Sequence, residues 1–352
     1  MRILVATDAW RPQVNGVVRT YERLAAEGPK LGAQFEFLSP EPFPTLPLPT
    51  YPEIRLAMVG EWNIEAAYTR VRPHYIHIAT EGPIGLAARA WCLRKGHPFT
   101  SSYHTRFPDY ISARVPVPLS WGYALQRWFH NSGAGMMVAA KSLSRDLEAK
   151  GFERIMPWTR GVDTTLFRPR PELRAAADAK RPVFLYVGRI AVEKGIEAFL
   201  AIDLPGSKVV VGDGPQLDDL RRRYPQVRFT GPKTGEDLAC EYAAADVFVF
   251  PSQTDTFGIV LLEAMASGLP VAALPVTGPI DIVRDGETGC LDTDLRAAAL
   301  GALKLNRDLV RENALDYGWS RCAQMFLDNI AEANRQAGHR PKTQAAALAV
   351  GA

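Results

Sequence analysis

The stretch Pro251-Ser-Gln-Thr-Asp-Thr-Phe-Gly-Ile-Val-Leu-Leu-Glu-Ala-Met-Ala-Ser267, continued by Gly268, Leu269 and Pro270, constrains this chain more than any other. It follows an apolar run, Asp246-Val-Phe-Val-Phe-Pro251, and sets one carboxylate, Asp255, at the end of that run. A second, Glu263, stands inside a helix of otherwise apolar or small residues. Burying an unpaired carboxylate is costly, so Glu263 is expected to have a hydrogen-bonding partner. Between the acids, Thr256-Phe257-Gly258 opens a helix at the carboxyl end of a strand, where open α/β sheets bind ligands. The N–H groups of that helix start favour an anion, phosphate above all. Two carboxylates beside a phosphate site imply a nucleotide sugar, one acid for sugar hydroxyls and one for a ribose.

A chain of 352 residues exceeds what one hydrophobic core usually serves, so two domains are expected. The net charge of +3 conceals an asymmetry. Residues 1–170 hold 21 Lys and Arg against 14 Asp and Glu, the remainder 20 against 24, so the first half is the basic one. That balance suits an anionic membrane surface or acceptor as well as it suits a scatter of solvated side chains. Cys92, Cys240, Cys290 and Cys322 are too widely spaced for a zinc site or a disulfide framework, which fits a reducing cytoplasm. The apolar run at Met1–Asp8 is too short for a signal peptide, and no stretch approaches the roughly 18 apolar residues of a membrane span. The expectation is a cytoplasmic protein, soluble or peripheral on the inner face of the membrane.

The first half alternates strand and helix signals. Strands are read at Ile3–Thr7, Phe35–Leu38, Tyr75–Ile78, Phe99–Tyr103 and Met136–Ala139, and helices at Val17–Leu31, Gly82–Arg94 and Lys141–Lys150. Pro40–Pro52, with six prolines, reads as a loop. A second alternating series begins at Val183 and runs through Pro270–Ala273. Alternation of this kind implies parallel sheets covered by helices. The expected organisation is a first domain over 1–165, a connection over 166–181, a second domain over 182–318, a crossover helix over 319–336 and a disordered tail over 337–352. Two doubly wound domains would enclose a ligand cleft between them.

Several loops could carry chemistry. Asn15 and Gly16 stand at the joint between the first strand and helix, where a glycine lets backbone approach a phosphate; a plain helix entry capped by Asn15 is the alternative. The pattern is not the dinucleotide Gly-x-Gly-x-x-Gly, which argues against a dehydrogenase. In Val187-Gly-Arg-Ile-Ala-Val-Glu-Lys-Gly195, Arg189 and Lys194 can grip a diphosphate, the first as a fork and the second as a point charge. Val211-Gly-Asp-Gly-Pro215 reads as a structural turn. His104 lies just past a strand end, a place for a catalytic group. His74 and His77, three apart in a strand, point to opposite faces and read as structural. Glu81 can face an acceptor or cap a helix. Arg106, Arg114, Arg127 and His130 interleave with Phe107, Tyr110, Trp121, Tyr123, Trp128 and Phe129, as in an interfacial helix, although core packing accounts for the aromatics as well.

Taken together these residues resemble the family-4 retaining glycosyltransferases of the GT-B type, whose two Rossmann-like domains face across a cleft. Asp255 to Glu263 is similar to that family's paired acid motif, Val187–Gly195 to its diphosphate loop, Asn15-Gly16 to its first-domain glycine loop, and Gly161–Pro169 to its interdomain signature. The resemblance spans about residues 1–335 and is nearest the branch of α-mannosyltransferases and diacylglycerol glycosyltransferases. It implies that the C-terminal helix packs back on the first domain. It also implies Glu263 on the ribose hydroxyls, Asp255 on the sugar hydroxyls, and the N–H groups of Phe257, Gly258 and Val260 on sugar and phosphate. Arg189 and Lys194 would neutralise the departing diphosphate, Gly16 would close from the other domain, and His104 would support the oxocarbenium-like charge. Glu81 and Arg106 are candidates for the acceptor side.

The expected reaction moves a hexose from GDP-mannose or a UDP-hexose to a lipid of the diacylglycerol type or to a glycan, with retention and without metal or cofactor; no nucleic acid is an expected partner. A UDP-sugar 2-epimerase and a non-catalytic nucleotide-sugar-binding module are the alternatives. The chain departs from the family pattern twice. Asp255 stands where glutamate is common, and Pro275-Val-Thr-Gly-Pro-Ile-Asp281 replaces a double glycine and glutamate.

Overall fold

The computed structural model describes residues 1–11, 13, 15–48, 51–112, 118–176 and 180–338. Pro12 and Val14 of the first glycine loop, Arg114, and all but the first two residues of the expected tail lie outside them. The chain forms two compact units, one of residues 1–139, 144–158 and 322–352, the other of residues 140–143 and 159–321.

The first unit holds β1 (Arg2–Ala6), α1 (Gly16–Glu27), β2 (Gln34–Leu38), β3 (Thr45–Leu48), β4 (Tyr51–Ala57), α2 (Glu61–Val71), β5 (Tyr75–Ile78), α3 (Pro83–Lys95), β6 (Thr100–Tyr103), α4 (Phe107–Ser112), α5 (Leu119–His130), β7 (Gly135–Val138), most of α6 (Lys141–Ala149) and β8 (Ile155–Pro157). Six strands make a parallel sheet in the order β2-β1-β5-β6-β7-β8. Ile3, Leu4, Val5 and Ala6 are all buried, the apolar run that a central parallel strand requires because helices cover both of its faces. Chain order reverses between β1 and β5, and open α/β sheets commonly bind ligands in the crevice beyond the carboxyl ends at such a point.

The expected loop over Pro40–Pro52 is corrected in part. It contains β3 and the start of β4, which pair antiparallel as a separate two-stranded sheet. Prolines discourage a strand reading because they remove ladder donors, but a hairpin standing apart from the main sheet has outer edges that need none.

The second unit holds α7 (Pro171–Ala176), β9 (Val183–Val187), α8 (Ile196–Ala201), β10 (Ser207–Val211), α9 (Leu217–Arg223), β11 (Arg228–Gly231), α10 (Gly235–Ala244), β12 (Val247–Phe250), α11 (Ile259–Ala266), β13 (Val271–Ala273), α12 (Pro279–Ile282), β14 (Gly289–Leu291), α13 (Leu295–Ala302) and α14 (Arg307–Leu315). Its sheet is also parallel, in the order β11-β10-β9-β12-β13-β14, with the reversal between β9 and β12. α7 lies in the stretch read as a connection and is tied down by Asp246. That buried carboxylate meets Arg174 at 2.7 Å and Arg181 at 2.6 Å, and it accepts the Val183 amide at 2.8 Å.

The last helix, α15 (Trp319–Gln336), returns the chain to the first unit from Cys322 onward. Phe326 is its main anchor. Fully buried, it packs at 4.9 Å from Trp158, 4.8 Å from His77 and 6.3 Å from Tyr21, measured between ring centres. Phe326→Ala is expected to cost roughly 3–5 kcal/mol, the usual price of a buried aromatic, and Phe326→Leu clearly less. Urea unfolding followed by tryptophan fluorescence reads both, and equal stability of Phe326→Ala and wild type would contradict this anchoring.

Candidate active site

In the second unit the two strand ends at the reversal point are joined by one ion pair. β9 leads into Gly188 and Arg189, then a short turn over Val192–Lys194; β12 leads into Pro251 and on to Asp255. Lys194 Nζ lies 2.5 Å from Asp255 Oδ1, with the side chains only 24% and 19% exposed. The hydroxyl of Thr254 donates to the Glu193 carbonyl at 3.1 Å, a second tie across the same gap. Gly195 ends the turn at φ 61°, and a side chain there would be strained and would press on the Pro251 carbonyl. The predicted diphosphate loop and the first predicted acid are therefore brought together.

The loop is fixed from beneath. The buried phenol of Tyr186 donates to the Arg189 carbonyl at 2.8 Å. Burial first, then the charges of Asp255 and Glu193, push its ionisation far above the ordinary range, so it remains a donor. Ile190 N donates to the Asp213 carbonyl at 2.8 Å, and a Cβ at Gly212 or Gly214 would collide with the carbonyls of Gly188 or Ile190. The turn at Val211–Pro215 is thus the structural support it was read to be.

Gly258 caps α11 at φ 89°, outside the comfortable range of other residues, with Phe257 buried behind it and Val260 half-buried in the first turn. The opening N–H groups of such a helix have no acceptor within it. Glu263, one turn further, is 5% exposed and accepts from the Tyr242 hydroxyl at 2.9 Å, the partner that its burial requires.

The first unit places its candidates differently. Asn15 caps α1, its Oδ1 accepting the amides of Val17 and Val18 at 3.0 Å each, with Gly16 as the first helical residue. The capping alternative thus describes Asn15. Glu81 accepts from His130 Nε2 at 3.1 Å and from Gln126 at 3.4 Å, in a buried chain that continues to Ser101 and Tyr103. Arg106 pairs with Asp146 at 3.1 Å. His104, half-buried past β6, has its Nε2 at 3.2 Å from the Tyr21 hydroxyl. Among the described residues no group of His, Cys, Asp and Glu is arranged to hold a metal ion.

Sequence reasoning assigned no role to Asp8. Past the end of β1, its carboxylate is buried and accepts the amides of Ile84 at 2.8 Å and Gly85 at 3.2 Å, at the start of α3, and the Thr80 hydroxyl at 2.9 Å. A Cβ at Gly82 would overlap it. Burial outweighs these bonds and raises its pKa from 3.8 to about 6. Its only sequence signal is an acid at a strand end, which many loops share.

Residues 14–166 match the family model Glycosyltransferase Family 4, and residues 181–308 match Glycosyl transferases group 1. A GDP-mannose-dependent alpha-mannosyltransferase of Corynebacterium glutamicum is 30% identical over 321 residues, 83% of this chain and 76% of that protein. The alpha-monoglucosyldiacylglycerol synthase of Streptococcus pneumoniae is 28% identical, covering 96% and 88%. The sulfoquinovosyl transferase of Arabidopsis thaliana is 34% identical over 70% of this chain, which spans about half, 52%, of that relative's length. Among solved structures, sucrose-phosphate synthase from Thermosynechococcus elongatus superposes with a TM-score of 0.76 at 21% identity, over 95% of this chain and 98% of the other. The chain belongs to the family-4 glycosyltransferases and has the GT-B fold. It is a glycosyltransferase.

The raised pKa of Asp8 makes its contribution to stability depend on pH. The folded state holds the proton more tightly than the unfolded chain, so the contribution is complete below about pH 4 and is lost as pH rises through about 6, by as much as about 3 kcal/mol. Asp8→Asn does not titrate, so unfolding free energies measured from pH 4 to 8 should show wild type losing ground to the variant up to about pH 6 and running parallel to it above. Parallel curves throughout would contradict the assignment.

Proposed function

We propose that this glycosyltransferase moves a hexose, with retention of configuration, from GDP-mannose or a UDP-hexose to a diacylglycerol-type lipid or to a glycan, and needs no metal. The observation that carries the reading is the Lys194–Asp255 pair at the reversal point of the second sheet. A cation there would neutralise a diphosphate, and Asp255, released from Lys194 as the phosphates arrive, would take the hydroxyls of the sugar. Arg189 shares the phosphate charge as a fork, and the N–H groups of Phe257, Gly258 and Val260 add donors at the helix start. Glu263, oriented by Tyr242, takes the ribose hydroxyls. Two side-chain cations and a helix terminus stabilise the leaving group, the role that a divalent ion fills in other transferases, which is the basis for proposing metal independence.

In the first unit, Gly16 takes part in donor binding through its backbone, while Asn15 contributes by capping the helix that Gly16 begins. His104 supports the positive charge that develops on the sugar as its bond to the diphosphate breaks. Retention follows from attack on the face that the diphosphate leaves, with a phosphate oxygen taking the acceptor's proton. Glu81 and Arg106 act on the acceptor side as supports, since both are already engaged by protein groups.

The names of the relatives favour mannose or glucose and a diacylglycerol acceptor. The surface of α5 favours work at a membrane. Trp121, Leu125 and Trp128 recur at helical spacing and are 70%, 63% and 52% exposed, and the Arg89 guanidinium lies 3.5 Å over the Trp128 ring. Apolar side chains backed by cations suit the headgroup region of an anionic bilayer. Among the described residues no helix is long and apolar enough to cross a membrane. On the strength of the α5 surface, the proposed attachment is peripheral, on the cytoplasmic face.

The test is nucleoside-diphosphate release by the purified protein with GDP-mannose, UDP-glucose, UDP-galactose and UDP-glucuronate, with and without liposomes containing diacylglycerol and anionic lipid, and with EDTA. Release from one donor, raised at least about tenfold by the liposomes and unchanged by EDTA, is the expected result. Release that depends on a divalent ion would overturn metal independence, and epimerised donor without release would overturn transfer.

A further inference from the structure

Two histidines and a serine converge on one buried hydroxyl in the first unit. Tyr21, on α1, is fully buried, and its hydroxyl lies 2.9 Å from His77 Nε2, 3.2 Å from Ser102 Oγ and 3.2 Å from His104 Nε2. His77 continues the chain, with Nε2 3.0 Å from Ser102 Oγ and Nδ1 2.8 Å from Thr100 Oγ1. The Tyr21 ring cannot easily shift, because Phe37, Trp158 and Phe326 surround it at 6.1 to 6.4 Å between ring centres. The His104 ring stands edge-on to it, at 5.7 Å and 88°. A phenyl ring would fill the same space, so what the hydroxyl adds is the set of contacts it makes.

Counting protons orients the network. A phenol has one hydrogen to give and can accept others at its oxygen. His77 is neutral, because burial and, secondarily, the charge of His130 lower its pKa to about 3, and it therefore carries a single N–H. Its Nδ1 is engaged by the Thr100 hydroxyl and its Nε2 by Tyr21 and Ser102, so neither nitrogen is left to hold His104. Tyr21 gives its own hydrogen to Ser102 Oγ. With that hydrogen given to Ser102, the contact between the Tyr21 oxygen and His104 Nε2 calls for a hydrogen on Nε2.

We propose that Tyr21 is a positioning residue for His104, holding the imidazole by its Nε2–H so that Nδ1 is the acceptor nitrogen of the neutral ring. His77, Ser102 and Thr100 in turn hold Tyr21. The inference rests on the role given to His104 above, and it deepens that role. An imidazole that supports a developing cation must offer an electron-rich nitrogen, and the opposite tautomer would place an N–H dipole of the wrong sign there. Packing fixes the plane of the ring, and the hydroxyl selects which edge is basic.

Long-range proton–nitrogen correlation spectra of the histidine-labelled protein read the tautomer directly, and His104→Ala identifies the His104 signal among the six histidines. Wild type is expected to show His104 as the Nε2–H form. Tyr21→Phe should give mixed tautomers and lower kcat about tenfold with donor KM changed less than about twofold, as loss of one hydrogen bond felt only in the reacting state predicts. In a His104→Ala background the same change should add nothing. An Nδ1–H ring in wild type, an unchanged kcat in Tyr21→Phe, or an equal loss in the His104→Ala background would each overturn the proposal. Full transfer by His104→Ala would defeat the role given to His104 instead, and the tautomer spectrum would still decide whether Tyr21 sets the ring.

Discussion

The parallel pairing of β9 with β12 is the constraint on which the candidate site depends. Val247 and Phe248 register with Phe184 and Leu185, and the chain leaves these two strands in opposite directions. The crevice that results lies between two loops rather than under one. Into it the sequence delivers Lys194 from one strand end and Asp255 from the other, close enough to pair. In the proposed reaction the donor would exchange that pair for its own contacts, an anion on Lys194 and hydroxyls on Asp255. The rigidity of the crevice is bought below it, by Tyr186 under the Arg189 carbonyl and by glycines at 195, 212, 214 and 258 where backbone passes too close or turns too sharply for a side chain.

Much of this was legible in the sequence because parallel sheets write themselves plainly. A strand covered on both faces must be apolar where it is covered, and Ile3–Ala6 of β1, β9 and β12 are, so their positions and the two-sheet organisation followed from pattern. The hairpin of β3 and β4 did not, since its prolines imitate a loop. Near the C-terminal end of the second unit, α12, β14, α13 and α14 are short or weakly patterned, and periodicity alone did not separate them.

At the level of side chains, the sequence revealed which groups needed partners but not which partners they have. The burial of Glu263 called for a hydrogen bond, yet Tyr242 belongs to a different helix and could be named only from the fold. Glu81 and Arg106 read as available because their partners, His130 and Asp146, lie 40 or more residues away. Asp8 was missed for the same reason, as its amide donors come from α3, and Tyr21 was given no role because its partners His77, Ser102 and His104 lie on or just past β5 and β6. In each case the missing information is a long-range contact, which neither spacing nor composition encodes.

The claim at the centre of this account is that the β9–β12 crevice binds the diphosphate of the donor. Calorimetric titration of UDP and of GDP into the wild-type protein and Lys194→Ala tests it most directly. One of the two nucleotides should bind wild type and bind the variant at least about tenfold more weakly, as expected when a charge-assisted contact is lost, while the unfolding midpoint stays within error. Equal affinity of the two proteins for the nucleotide that binds would place the diphosphate elsewhere.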